Sequence, residues 1–148
     1  MEKFTLVPRA FFDASDPAKL LSQLVHLEKD DTIEYIELPE YGAVLVYCNS
    51  EPSVCRLFGS LACIPESDKV VMQYDGAALS VVVARDGKLL LANSFESADF
   101  TTALYFLMAA LEHSDILPEK TVVRYSGGLE YVWQEMLYKY FNGIEKVA

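Results

Sequence analysis

The sequence predicts an α/β fold: a ribonuclease-H-like mixed sheet, ordered β-β-β-α-β-α-β from about residue 69 and preceded by a smaller α/β segment. Three observations predict it. Residues 69–95 hold three apolar runs, KVVMQY, ALSVVVA and KLLLANSF, the last two joined by Asp86-Gly87. That pair suits a type I′ hairpin, whose two central positions both need positive φ. Residues 98–113 then place Phe100, Leu104, Leu107, Met108 and Leu111 on one helical stripe. Finally, TVVRYS, Gly127-Gly128 and a second helical pattern alternate strand with helix, the order that builds parallel crossovers. Right-handed crossovers place the strand at 120–125 beside the first strand of the meander and not beside the third.

The earlier elements follow in order. KFTLVP reads as a short strand. Asp16-Pro17 offers an N-cap with proline at the first helical position, so an amphipathic helix is expected over 17–28, with Ala18, Leu21, Leu24 and Val25 on one face. TIEYIEL and AVLVYC, separated by Pro39 to Gly42, read as a hairpin rich in β-branched and aromatic residues. Ser50-Glu51-Pro52 opens a short helix carrying Val54, Leu57 and Phe58, closed by Gly59. LACIPESD at 61–68 marks the expected boundary, giving an N-terminal segment 1–68 and a ribonuclease-H-like subdomain 69–148. Ser97 is the expected cap of the helix at 98–113. After Pro118 and the strand at 120–125 comes a helix over about 129–141, stopped by Asn142-Gly143, with IEKV as a final edge strand.

Composition narrows the function. With 52% hydrophobic and 23% charged residues, the 148-residue chain is globular rather than disordered. Twenty-two acidic against twelve basic residues give a net charge of −10, which repels phosphate backbones, so nucleic acid is not an expected partner. Cys48, Cys55 and Cys63 are odd in number and form no CxxC pair, as expected of free thiols in a reducing compartment. Only His26 and His113 could add nitrogen ligands, so no metal site is expected. There is no signal-peptide apolar region and no run of about 20 apolar residues, so a cytoplasmic protein without a membrane partner is expected.

FTLVPRAFFD, RDGKLLLANSF and VVRYSGG, in this order, resemble an uncharacterised bacterial protein family assigned an actin-like ATPase fold. The resemblance covers most of the chain and matches the C-terminal part of a longer typical member. It implies an actin-like ATPase half, without a defined reaction. In active members a first hairpin carrying Asp and glycine holds Mg²⁺ and phosphate, and a later glycine-rich turn receives adenosine. By position, the resemblance puts Asp75 and Gly76 at the phosphate hairpin and Ser126, Gly127 and Gly128 at the adenosine turn. The chemistry is sound, because backbone N–H groups approach phosphate closely where no side chain intervenes, and a carboxylate suits Mg²⁺. The usual hairpin reads Asp-x-Gly-x-(Thr or Ser), whereas this one reads Asp75-Gly76-Ala77-Ala78-Leu79. Residues 1–68 also contain no glycine-rich hairpin to serve as an opposing phosphate loop.

Each candidate has a plainer reading. Asp75-Gly76 between two apolar strands reads as a hairpin turn, and Ser126-Gly127-Gly128 as a strand-to-helix turn, although a helix N-terminus can also take an anion. QYDGA resembles the strand on which ribonuclease-H nucleases carry their first metal-binding Asp. Two-metal chemistry needs several converging carboxylates, and TVVRYS supplies none. No GxSxG or motif-placed Cys-His pair is present. Trp133 with Tyr131, Tyr138 and Tyr140 is either an exposed aromatic face or core. The expectation is therefore a non-enzymatic binding or scaffold domain, without catalytic residues or cofactor, acting through a protein partner or self-association. The alternative is a Mg-ATP-binding ATPase half completed by a longer chain or a partner.

Overall fold

In the computed structural model, which describes residues 2–147, the meander of residues 68–96 forms the centre and one edge of a five-stranded sheet. The chain divides into two compact units, Met1–Pro52 and Ser53–Ala148. In the second unit β4 (Asp68–Tyr74), β5 (Ala78–Arg85) and β6 (Lys88–Glu96) are antiparallel neighbours, while β7 (Val122–Tyr125) runs parallel to β4 and β8 (Gly143–Lys146) parallel to β7. The order β6-β5-β4-β7-β8 puts β7 beside the first meander strand, as crossover handedness requires.

Central strands buried on both faces explain why β4 and β5 read as nearly continuous apolar runs. On one face Val70, Met72, Val81 and Val83 pack with Leu104, Leu107 and Leu111 of α2 (Phe100–His113) and Leu137 of α3 (Tyr131–Tyr138). Against β4 and β5 also lies α1 (Cys55–Leu61), whose Leu57 and Leu61 are fully buried. This helix, grouped by sequence with residues 1–68, lies in the second unit, and it passes through Gly59 instead of ending there.

Two local features differ from expectation. The cap of α2 is Asp99, whose carboxylate accepts the Thr102 N–H at 2.8 Å. Ser97 is buried, and its carbonyl accepts the Tyr74 hydroxyl at 2.9 Å. The Asp86-Gly87 turn takes positive φ at Asp86 alone (53°), with Gly87 outside the left-handed region. It is therefore not type I′. The β5–β6 register is irregular between Val83 and Ala84, leaving Leu90 as an extra residue.

In the first unit β1 (Phe4–Pro8), β2 (Ile33–Leu38) and β3 (Ala43–Cys48) form an antiparallel sheet ordered β1-β3-β2. Val7, Val44, Val46 and Cys48 pack with Leu21 beneath it. The helix expected over 17–28 does not form. The segment is turns and one 3-10 stretch, Leu21–Gln23, mixing bonds such as Ser22 N–H to Ala18 with Gln23 N–H to Leu20. Leu21 is its one fully buried anchor while Leu24 stays 67% exposed, too little packing to hold so short a helix.

Candidate functional site

Parallel pairing of β4 with β7, in the register Val70↔Val123 to Met72↔Tyr125, brings the carboxyl ends of both strands side by side. Open α/β sheets bind ligands at such ends. The Asp75-Gly76 turn leaves β4 there, and Ser126-Gly127-Gly128 leaves β7. The Ser126 N–H extends the ladder by bonding the Met72 carbonyl at 2.9 Å. Gly127, at φ 76°, lies over Gln73, and a Cβ on it would stand 3.5 Å from the Gln73 Nε2. The two turns predicted from sequence are thus neighbours.

Asp75 closes its own hairpin. Its Oδ1 accepts the N–H groups of Ala77 and Ala78, each at 2.8 Å. These two bonds, in that order, hold its carboxyl below the usual range. Gly76 takes φ 93°, which glycine alone tolerates cheaply. Two donors available to a phosphate are therefore already turned onto the Asp75 carboxylate. Leu79, where the usual hairpin carries a hydroxyl, is fully buried in the core.

The second turn feeds α3, whose N-cap is Glu130 in an extended conformation. A carboxylate there favours the helix dipole and disfavours an added anion. The residues present do not fit Mg-nucleotide as the resemblance implies it. The Ala77 and Ala78 N–H groups are spent on the Asp75 carboxylate, and a carboxylate residue stands at the start of α3.

Sequence reasoning missed two polar side chains near these strands. Gln73 interrupts the apolar run KVVMQY, and its Oε1 is buried without a hydrogen-bond partner. Arg124 interrupts TVVRYS. Its side chain is only 7% exposed and its guanidinium grips both oxygens of Glu66 and, at 2.7 Å, Glu145. The Arg124 hydrogen bond holds Glu66 below the usual carboxylate range. Arg124 thereby braces β7 to β8 and to the segment entering β4. A charged or amide residue inside an otherwise apolar strand was the available signal in both cases.

The aromatic question divides. Trp133 stacks on Phe100 at 5.3 Å and meets Tyr74 edge-on at 5.1 Å, so it belongs to the core margin. Tyr131, Val132, Tyr138 and Tyr140 are exposed. Among the described residues no three His, Cys, Asp or Glu side chains are grouped to hold a metal ion, and no helix is long and apolar enough to cross a membrane.

Residues 60–144, more than half of the chain, match a family described as a protein of unknown function (DUF3822). The chain belongs to the DUF3822 family. No curated protein matches it. A crystal structure from Bacteroides thetaiotaomicron VPI-5482, of a protein with actin-like ATPase fold and unknown function, is similar over 99% of this chain with a TM-score of 0.81 and 17% identity. The chain spans 65% of that protein's length. Pelota from Archaeoglobus fulgidus is similar over 71% of this chain and 34% of its own, with a TM-score of 0.39 and 14% identity. This DUF3822 chain therefore has an actin-like ATPase fold, as the resemblance implied.

Proposed function

We propose that this DUF3822 chain is a non-catalytic binding or scaffold domain that acts through protein contacts. One observation carries the reading. The Asp75 carboxylate consumes the Ala77 and Ala78 N–H groups, so the hairpin is satisfied as a turn and has no free pair of donors for phosphate. Glu130 at the start of α3 supports the same conclusion at the second turn. Exposed Tyr105, Tyr131 and Tyr138 supply the amphipathic surface that protein contacts favour.

The second reading, a Mg-ATP-binding half, draws on the span of 65% of a longer protein with actin-like ATPase fold. Titration calorimetry with Mg-ATP separates the two. The binding-module reading expects no saturable heat up to millimolar nucleotide. Saturable micromolar binding lost in Asp75→Ala overturns it, whereas binding lost only in Gly128→Val points to a nucleotide turn without a working phosphate hairpin.

A further inference from the structure

β6 is the outer strand of the five-stranded sheet. Ser94 gives its N–H to its own neighbour, the Asn93 Oδ1, at 2.8 Å and not to β5. From Leu91 to Glu96 the β5–β6 register is unbroken. Alternation along an antiparallel ladder then gives Ala92 and Glu96 the outward phase of Ser94. Ser97 shows the opposite phase, its N–H reaching the Ala77 carbonyl at 2.8 Å. Ala92, Ser94 and Glu96 thus line an open edge with backbone donors and acceptors.

An aromatic wall stands beside this edge. Phe95 of β6 stacks on Phe106 of α2 at 4.9 Å with an 8° interplanar angle, and Tyr105 meets Phe106 edge-on at 5.7 Å while 69% exposed. We infer that the edge from Ala92 to Glu96 receives an extended, positively charged peptide segment as an added strand. The inference rests on reading the chain as a protein-binding module. The backbone groups select a strand, and the wall selects aromatic or β-branched residues at alternate positions.

Charge selects the partner. Glu96 is exposed at the end of the edge, and strand alternation sets it on the face opposite Phe95. A second copy would bring another net charge of −10, whereas lysines on the segment's other face complement Glu96 and the acidic chain as a whole. Asn93 is a built-in competitor. Its amide oxygen satisfies the Ser94 N–H while the edge is empty, as unpaired edges require, and yields it to the incoming carbonyl.

The test titrates the blocked heptapeptide Lys-Phe-Lys-Val-Lys-Phe-Lys into the ¹⁵N-labelled full chain. Saturable shifts at Ala92, Ser94 and Glu96 are expected, with at least about tenfold slower exchange at the Ser94 amide on strand pairing. Asn93→Ala removes the competitor and binds about fivefold tighter, the equivalent of about one hydrogen bond. Ser94→Pro deletes an outward N–H without touching the β5 ladder, so binding is lost. If that variant unfolds, a peptide N-methylated at alternate amides makes the same test. Equal binding of the glutamate peptide Glu-Phe-Glu-Val-Glu-Phe-Glu, no shift with either peptide, or shifts centred on Tyr131 and Tyr138 overturns the β6 inference. Shifts on α3 leave the binding-module reading standing, whereas Asp75-dependent Mg-ATP binding removes that reading whatever the peptide does.

Discussion

Replacing Asp75 with alanine tests whether the hairpin is a self-closed turn. The substitution removes two charge-assisted hydrogen bonds of 2.8 Å from one carboxylate oxygen. In a buried site each such bond contributes about 1.5–3 kcal/mol. Asp75 is exposed and water competes for both, so about 0.5–1 kcal/mol apiece is realistic. The expected loss is about 1–2 kcal/mol, comparable to losing a helix N-cap, and about 3–6 °C in melting temperature for a domain of this size. Asp75→Asn keeps an acceptor oxygen in place and loses about 0.5 kcal/mol.

Urea unfolding followed by Trp133, the only tryptophan, reads the second unit, where Asp75 lies. The sign of the pH effect is fixed by the lowered pKa of Asp75. A carboxylate with a depressed folded pKa contributes stability above its unfolded value, about pH 4, and loses it as pH falls through the folded value. The gap between wild type and Asp75→Ala is therefore constant from about pH 5 to 8 and closes below about pH 4. An unchanged unfolding midpoint in Asp75→Ala at neutral pH, or a gap that widens on acidification, refutes the turn-closing argument.

Two further substitutions probe the frame that holds the turns. Arg124→Ala strips Glu66 and Glu145 of their shared partner and opens space at a nearly buried site, so a loss of about 2–3 kcal/mol in urea unfolding is expected. Arg124→Met refills the space and retains more than half of that stability; an equal loss in both variants contradicts the packing component. Tyr74→Phe leaves the Ser97 carbonyl without the buried hydroxyl bonded to it at 2.9 Å and costs about 1–2 kcal/mol by the same assay.

Strands buried on both faces announced themselves, because β4 and β5 have no solvent-facing side to interrupt their apolar runs. The position of β7 was also legible, since handedness leaves one place for a crossover strand. Ser97 was the expected α2 cap and Asp99 is the actual one, because either residue type can cap and burial takes Ser97 out of reach. The segment 17–28 has the composition of an amphipathic helix, but helix formation there depends on tertiary burial that reaches Leu21 and not Leu24. Both turn sites were found from sequence. Their adjacency was not, because it arises from pairing between β4 and β7, about fifty residues apart. For the same reason Gln73 and Arg124 were not singled out from the sequence, since the glycine and the two carboxylates that they meet lie on distant segments.

Glycines at the carboxyl end of a sheet invite a phosphate interpretation, and in this chain backbone geometry accounts for them independently. Gly76 and Gly127 both adopt positive φ, 93° and 76°, and Gly127 also passes close to the Gln73 amide. Neither requirement needs a ligand. A phosphate hairpin differs from a plain turn in leaving its N–H groups unpaired toward the ligand, which costs stability in the empty protein. Here Asp75 removes that cost by accepting both donors itself, and Glu130 sets a negative charge at the next helix start. The actin-like ATPase fold of this chain thus carries, at the carboxyl end of β4, a hairpin whose Ala77 and Ala78 N–H groups hold the turn itself closed.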